Sequence, residues 1–162
     1  MDRQQIGVKL AIDGLGLQFK IDTFEDRLIL QKAIYLAQAG GVHLGYYYHW
    51  YLYGPYSPSL TRDEYAIADE LARGMDDFKS WKLDAESLSR LKRLQGLIPQ
   101  RQKRRRKLEL LASVHFLIER KQVQGRNIGQ ISDTLRRYNK DFSQDEIQQA
   151  MEELDEYGLL PS

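Results

Sequence analysis

The sequence predicts a mainly α-helical, compact domain with about six helices and at most a short β element. In most segments the apolar residues recur at a spacing of three or four, which is the period of one face of an α-helix. Helix-capping residues and glycine or proline stops separate these segments from one another. One stretch, His43–Tyr53, instead alternates with the period of two that is typical of a strand.

All 162 residues are expected to form a single helical domain, since this length can bury a sizeable core. Residues 1–98 make an N-terminal half with an aromatic centre, and residues 99–162 make a C-terminal helical half. The chain has 42% hydrophobic and 29% charged residues, which is ordinary for a globular protein. It has no cysteine, which excludes disulfides, thiol catalysis and thiolate metal sites. Without an apolar run of about 20 residues or a signal-peptide pattern, a cytoplasmic location and no membrane association are expected.

The first two helices are predicted from apolar spacing and from their ends. One runs over about residues 3–13, where nearby glycines limit its length. Asp22 or Thr23 caps the next helix, which continues to Ala39 and is stopped by Gly40. Its apolar face is broad, and this indicates burial on several sides. The residues of that face are Leu30, Ala33, Ile34 and Ala37, widened by Ile29 and Leu36.

The aromatic run His43–Tyr53 is predicted to be either an extended strand or an irregular, packed segment. A strand would need a partner, and Gly74–Leu83 is the plausible one in the sequence. The set expected to pack on the second helix is Tyr46, Tyr48 and Trp50. The alternate set either covers an edge or forms a binding surface, because tyrosine joins an apolar ring to a polar tip. That set is Tyr47, His49, Tyr51 and Tyr53.

A proline-stiffened turn, Gly54–Pro58, connects the aromatic run to the third helix. Ser57 is placed to cap this helix, with Pro58 at its first position, where a missing N–H costs least. The buried stripe of the third helix is predicted to be Leu60, Ile67, Ala68 and Leu71. Asp84 is placed to cap a fourth helix. The inward residues of the fourth helix are predicted to be Leu88, Leu91 and Leu94.

The C-terminal half is predicted to hold one long helix and two further helices. The long helix follows the basic run 101–107, and its predicted buried residues are Leu110, Leu111, Val114, Leu117 and Ile118. A short helix spans about residues 128–138, and a capping box at Ser143 opens the last one. These last two helices have the outline of a helix-turn-helix. Because the would-be recognition helix is acidic, a DNA duplex would repel it, and the outline indicates a scaffold for protein contact.

The basic run has two interpretations. Its cations are Arg101, Lys103, Arg104, Arg105, Arg106 and Lys107. They could contact phosphates, which would make the protein a nucleic-acid-associated regulator with a steep salt dependence. Alternatively, they are solvated or pair with the acidic C-terminal helix of this same chain. Cations at the positive end of a helix are unfavourable, which favours an anionic partner or an acidic surface of this same chain nearby.

No residue pattern points to catalysis, so a non-enzymatic protein without metal or cofactor is predicted. The three histidines, His43, His49 and His115, lack metal-ligand spacing with any carboxylate cluster. His43 and His49 would share one face of a strand, which is a weak metal signal beside the more ordinary partly buried histidine. The segment Gly14-Leu15-Gly16 lacks the later glycine of a dinucleotide site, and no phosphate loop or nucleophile elbow occurs.

Protein contact is predicted at the turn and its neighbouring rings. Tyr51, Tyr53, Pro55 and Tyr56 combine a rigid corner with aromatic side chains, and no catalytic group stands beside them in the sequence. Surface rich in tyrosine is the usual composition of a binding hot spot. A protein partner is therefore expected, and the sequence leaves the oligomeric state open.

Two paired motifs carry a family resemblance. One is the helix segment Leu30-Gln31-Lys32-Ala33-Ile34-Tyr35-Leu36, and the other is Tyr53-Gly54-Pro55-Tyr56-Ser57-Pro58-Ser59-Leu60. Together they resemble the YwgA-like group of bacterial proteins and, more distantly, the SocA-like antitoxin domain called Panacea, over roughly residues 25–72. The resemblance implies a mostly helical fold and, in the antitoxin branch, neutralisation or adaptor-type binding of another protein. It implies no catalytic residues.

Overall fold

The computed structural model describes residues 1–161, which form seven α-helices, two short 3₁₀ helices and one two-stranded sheet. The α-helices are α1 (Arg3–Gly14), α2 (Phe24–Ala39), α3 (Pro58–Ala72), α4 (Ala85–Leu94), α5 (Arg101–Glu119), α6 (Ile128–Arg137) and α7 (Gln144–Glu156). The strands are β1 (His49–Tyr51) and β2 (Gly54–Tyr56), and the 3₁₀ helices are Asp77–Ser80 and Gln95–Leu97. The predicted mainly α-helical fold with a short β element is confirmed, with one helix more than expected. Within the same residues, no helix combines the length and apolar character needed to cross a bilayer.

The hydrophobic core is built around α5. This helix packs against α2, α7 and β2, and every residue from Leu110 to Ile118 is buried. The five core positions predicted for this helix are therefore confirmed. Each fully buried leucine or isoleucine contributes about 1.5–3 kcal/mol, so the covering of α5 on several sides is a main source of stability.

The side chains that were predicted to cap the helices form these caps in the structure. Thr23 Oγ1 accepts a hydrogen bond at 3.0 Å from the backbone N–H three residues on, and Ser143 Oγ does the same at 3.1 Å. In both cases an acidic side chain accepts a hydrogen bond from the backbone N–H of the cap residue, which completes a capping box. Ser57 and Asp84 cap α3 and α4 as predicted. Each such cap contributes about 1 kcal/mol.

The aromatic run ends in a β-hairpin and does not pair with a distant segment. β1 and β2 are antiparallel, in the register that sets Tyr51 opposite Gly54. The predicted partner Gly74–Leu83 forms a 3₁₀ helix and loop, so that prediction was wrong. The reason is the two-residue loop 52–53, followed by Gly54 with a φ of 90°, which turns the chain back at once.

The first half of the aromatic run is extended but joins no sheet within the described residues. Burial still alternates from Val42 to His49, as the period of two predicted. Gln38 of α2 takes the place of a neighbouring strand: its side chain donates to the Tyr46 carbonyl at 3.0 Å and accepts from the Tyr46 N–H at 2.9 Å. Tyr46 and Tyr48 are buried in the core, as predicted, and both are also hydrogen-bonded to α2.

Two predicted core positions are wrong. The Trp50 ring lies 5.7 Å from the Phe116 ring of α5 instead of packing on α2, because its strand pairs with β2, and β2 packs on α5. Leu88, predicted to face inward, is 45% exposed. The C-terminal half of α4 reaches the core through the buried Leu91 and Leu94, whereas Leu88 lies in its first turn.

Candidate functional site

The two sequence motifs meet at the start of α3. Gln31 of α2 is buried, and its Nε2 donates to the Ser57 carbonyl at 2.9 Å and to Thr61 Oγ1 at 2.8 Å. Its Oε1 accepts from the Ser57 N–H at 3.1 Å. The helix motif and the turn motif therefore form one structural unit, in which a side-chain amide satisfies the buried backbone of the turn.

Two buried lysines hold the hairpin on the helical core. Lys32 of α2 donates from Nζ to the Pro55 carbonyl at 2.5 Å. Lys140, between α6 and α7, donates to the Leu52 carbonyl at 2.8 Å and to Glu109 Oε1 at 2.5 Å. The two lysines are 1% and 6% exposed. Because a buried ammonium group is costly unless it is paired, these contacts hold the hairpin in one position.

Burial changes the protonation of Lys32. Desolvation lowers its pKa to about 7; Glu109 opposes this shift, and the charge of Lys140 adds to it. The amine is therefore present in both its charged and its uncharged form near neutral pH. Since the folded pKa lies below the unfolded value of 10.5, this group makes the free energy of unfolding increase as the pH rises from about 7 towards 10.5.

Gly54 lets the hairpin backbone lie directly on α5. Its φ of 90° is in the region that favours glycine. A Cβ on Gly54 would overlap the Ser113 hydroxyl of α5 and would stand 3.8 Å from Lys32 Nζ. Glycine is therefore required here by the backbone conformation and also by the available space.

A small apolar pocket opens between α2, the hairpin and the start of α3, with a volume of about 260 Å³. Rings and aliphatic side chains form most of its walls. These residues, called the pocket surface below, are Phe24, Leu28, Tyr51, Leu52, Tyr53 and Tyr56. The remaining lining comes from Arg27, Gln31, Lys32 and Thr61. The buried polar unit described above thus lies directly under an apolar opening.

Three of the four predicted contact residues belong to the pocket surface. Tyr51 is 59% exposed, Tyr53 is 38% exposed, and Tyr56 is half-buried. Pro55 was also predicted to contact a partner, but it is buried. It lies in the strand that packs on α5, and its carbonyl accepts from Lys32, so its role is to shape the hairpin.

Phe24 and Leu52 also belong to this surface and were not predicted from the sequence. Phe24 opens α2 and is 46% exposed, and Leu52 at the hairpin tip is 63% exposed. The signal available for Phe24 was an aromatic residue directly after the N-cap and outside the apolar face of its helix. Its ring lies 5.1 Å from the Tyr53 ring, so side chains distant in sequence form one apolar surface.

Cationic side chains border the pocket surface. The Arg105 guanidinium of α5 lies over the rings of Phe24 and Tyr53, at 5.6 and 5.8 Å from their centroids. Lys140 Nζ lies 5.3 Å from the Tyr53 centroid. Arg27 lines the pocket and donates to a backbone carbonyl at 2.9 Å.

Part of the predicted basic run is used inside the protein. Arg106 pairs with Glu146 of α7 at 3.0 Å, and Lys107 pairs with Glu153 of α7 at 2.6 Å. For these two residues, the pairing with the acidic C-terminal helix is confirmed. The cations of the run that make no ion pair with residues 1–161 are Arg101, Lys103, Arg104 and Arg105. Of these, Arg105 lies over two rings of the pocket surface.

The three histidines do not lie in a cluster of potential metal ligands within the described residues. His43 and His49 are exposed, and His115 is buried. His115 Nε2 donates to the Leu159 carbonyl at 2.9 Å, which leaves Nδ1 to accept from the Tyr35 hydroxyl at 2.7 Å. Burial lowers the pKa of His115, in agreement with this neutral form. In the part of the chain that the structure describes, no three His, Asp or Glu side chains converge to hold a metal ion.

Glu64 of α3 is a buried carboxyl whose two oxygens have no hydrogen-bond partner among residues 1–161. Burial raises its pKa to about 8, and the charge of Arg27 opposes this shift only in part. The carboxyl is therefore mostly protonated at neutral pH.

We expect Glu64→Gln to stabilise the protein increasingly as the pH rises. In the wild type the folded pKa of about 8 lies above the unfolded value of 4.5, so the free energy of unfolding falls as the pH rises between these values. Glutamine resembles the protonated carboxyl and does not titrate. The difference in stability between variant and wild type should therefore grow by about 1 kcal/mol per pH unit in this interval.

Urea unfolding of both proteins across the interval measures this difference, and all other titrating groups are common to the two chains. A difference that stays constant with pH would show that Glu64 is charged throughout, and it would contradict the expectation.

Comparisons with known proteins identify no relative. No protein-family model matches this chain, and no curated protein and no solved structure matches it either. The resemblance carried by the paired motifs therefore stays a prediction. The features from which a function can be inferred are the pocket surface and its cationic border.

Proposed function

We propose that this protein is a non-enzymatic interaction protein that binds a protein partner through the pocket surface. One observation carries the proposal: exposed aromatic and aliphatic side chains of α2 and the hairpin surround one small apolar cavity. Phe24, Tyr51 and Leu52 are largely exposed, so a partner that covers them removes apolar surface from water. Aromatic residues around a cavity are the composition of a binding hot spot.

The size of the cavity favours a side chain of a partner over a small-molecule ligand. Sites for drug-sized ligands usually have about 300–1,000 Å³, whereas this cavity has about 260 Å³. A small ligand would also leave the exposed rim in contact with water. A partner that inserts one large apolar side chain would cover the cavity and the rim together.

The hairpin is held in position before any partner arrives. Lys140 donates to a backbone carbonyl in the hairpin loop, Lys32 donates to one in β2, and Gly54 packs directly on α5. A surface that is fixed before binding loses little conformational entropy on association. The buried polar contacts beneath the hairpin therefore support a binding role.

The proposal includes an adaptor- or antitoxin-like role in the cytoplasm. Support for the role comes from the resemblance of the paired motifs, because those motifs form the α2–hairpin unit that carries the pocket surface. Neutralising another protein by covering its surface requires no catalytic group.

Site-specific photocrosslinking tests the proposal. A benzoyl-phenylalanine introduced at Tyr51 is expected to crosslink a protein partner in cells that express the chain, and mass spectrometry identifies that partner. Tyr47 is the matched control position, since it belongs to the same aromatic run and is 82% exposed but lies outside the pocket surface. We expect a crosslinked protein from position 51 and none from position 47. Leu52→Asp, a change at an exposed residue, should abolish the product.

Equal crosslinking from both positions, or no product from position 51, would contradict the proposal. The rival function, a nucleic-acid-associated regulator, requires retention on heparin or DNA with a strong salt dependence. That retention should disappear when three of the cations without ion pairs, Arg101, Lys103 and Arg104, are neutralised. Support for a protein partner over nucleic acid comes from the use of Arg106 and Lys107 in contacts with α7.

A further inference from the structure

The cationic border of the pocket surface indicates the chemistry of the partner, an inference that rests on the proposed function. The basic side chains in or beside the pocket are Arg27, Lys32, Arg105 and Lys140, of which Lys32 is only partly charged near neutral pH. Glu109 lies among them and is paired with Lys140. None of the described residues that line the pocket carries a carboxylate. The site is therefore positive, although the whole chain has a net charge of only +1.

The acidic residues in the first turn of α2 do not cancel this charge. Asp26 accepts a hydrogen bond from the Thr23 N–H at 3.1 Å and lies 3.7 Å from Lys20 Nζ, so it is already engaged. Glu25 is exposed and does not line the pocket. A partner that approaches the cavity meets the cations at its rim.

Arg105 is the cation best placed to bind a partner. Its neighbours Arg104 and Arg106 donate to Pro99 and Glu146, whereas the Arg105 side chain has no such acceptor within residues 1–161. Its guanidinium is instead held over the rings of the pocket surface. A cation–π contact of this kind does not use the N–H donors of the guanidinium, so they remain able to bind a carboxylate.

Arg27 supplies a second cation inside the same opening. It lies three residues after Phe24 on α2, a spacing that places both side chains on neighbouring parts of one helix face. One of its nitrogens donates to a backbone carbonyl, and a guanidinium has five N–H donors in all. Donors therefore remain for a ligand carboxylate.

We propose that the partner contributes an acidic segment, in which one large apolar side chain flanked by Asp or Glu enters the pocket. The apolar side chain occupies the cavity and covers Phe24 and Leu52, while the flanking carboxylates bind Arg27 and Arg105. Charge complementarity of this kind speeds association and selects among partners. It also disfavours basic segments, because like charges would face each other at the rim.

Three synthetic peptides of equal length separate the contributions of the apolar side chain and of charge. They are acetyl-Glu-Asp-Phe-Glu-Asp-amide, acetyl-Lys-Lys-Phe-Lys-Lys-amide and acetyl-Glu-Asp-Ala-Glu-Asp-amide. Backbone amide chemical shifts of the isotope-labelled full chain report where each peptide binds. We expect the acidic phenylalanine peptide to shift amides of the hairpin and α2, and to bind about tenfold more tightly than the other two. Its affinity should fall as the ionic strength rises.

Two charge-reversal variants test whether Arg105 binds the acidic peptide. Arg105→Glu should weaken binding of the acidic phenylalanine peptide by about tenfold. Lys103→Glu is the matched control, since Lys103 is exposed on the same helix and outside the pocket surface, and it should change the affinity by less than about twofold.

Equal binding of the acidic and basic phenylalanine peptides, equal effects of the two reversals, or no shifts with the acidic phenylalanine peptide would overturn the inference. If position 51 still crosslinks a protein in that event, the pocket surface remains the binding site and only the acidic chemistry is wrong. If the crosslink is also absent, the proposed function fails as well.

Discussion

Replacing Glu109 by glutamine is expected to lower the free energy of unfolding by about 3–5 kcal/mol. Glu109 Oε1 lies 2.5 Å from Lys140 Nζ, and these two side chains are only 12% and 4% exposed. Without the carboxylate, Lys140 is buried with no counter-charge, and Lys32 loses the group that favours its charged form. The hairpin also loses support, because Lys140 donates to the Leu52 carbonyl. Urea unfolding of both proteins at one pH measures the difference.

Two further variants show whether the loss comes from the buried charge. Asp69→Asn breaks an exposed pair with Arg73, in which the side chains are 59% and 70% exposed, and it should change stability by less than about 1 kcal/mol. Glu109→Leu combined with Lys140→Met removes both buried charges and should recover most of the loss. An effect of Glu109→Gln no larger than that of Asp69→Asn would contradict a coupled buried cluster.

The second large effect is expected at Gly54. Gly54→Ala places a Cβ at a φ of 90°, which costs about 1–2 kcal/mol. The same Cβ overlaps the Ser113 hydroxyl, and such overpacking costs about 1–3 kcal/mol more. We expect a total loss of about 2–5 kcal/mol in urea unfolding. Because Tyr51 and Leu52 lie on this hairpin, its displacement from α5 should also reduce crosslinking from position 51.

The variant Gly74→Ala distinguishes the cost of backbone strain from the cost of steric overlap. Its φ of 77° is similar, yet a Cβ there would meet no atom within 4 Å, so Gly74→Ala should show the strain alone, about 1–2 kcal/mol. Ser113 Oγ has no hydrogen-bond partner among the described residues, so Ser113→Ala should cost little. The double variant Gly54→Ala with Ser113→Ala should regain the collision part. No recovery in that variant would argue against close packing of the hairpin on α5.

Local signals in the sequence located the helices and their ends. Thr23, Ser57, Asp84 and Ser143 begin helices as predicted, because a cap depends on residues within one turn of it. The buried run of α5 followed in the same way from apolar spacing. These features need no knowledge of the rest of the chain.

These local patterns did not predict which distant segments contact one another. The strand partner predicted at Gly74–Leu83 does not pair, because the loop 52–53 and Gly54 close a hairpin locally. The backbone N–H and carbonyl of Tyr46 form hydrogen bonds with the side chain of Gln38. Gln38 is a polar residue on a helix, and nothing in its sequence context predicts that it would replace a neighbouring strand. An alternation with a period of two indicates which side chains share a face. It does not indicate which group forms hydrogen bonds with the backbone of that segment.

Only part of the candidate site was predicted, because the rest of it comes from segments that are distant in the sequence. Tyr51, Tyr53 and Tyr56 were identified from composition, and they line the pocket. Phe24 and Arg105 complete the surface from α2 and α5, and neither is near the hairpin in sequence. Pro55 was misplaced on the surface because proline in a turn is usually exposed, whereas this turn is pressed on α5.

The helical fold class, the helix ends and the aromatic segment with its Gly–Pro turn all follow from local patterns in the sequence. The burial and pairing of Lys32, Glu109 and Lys140 depend instead on contacts between distant segments. In sequence these are ordinary polar residues, and lysine is rarely buried. The helices that carry them bring them together under the hairpin, where low solvent access makes each charge depend on the others. Helical period shows which residues share a face, but the element that covers that face is set by contacts between segments far apart in the chain.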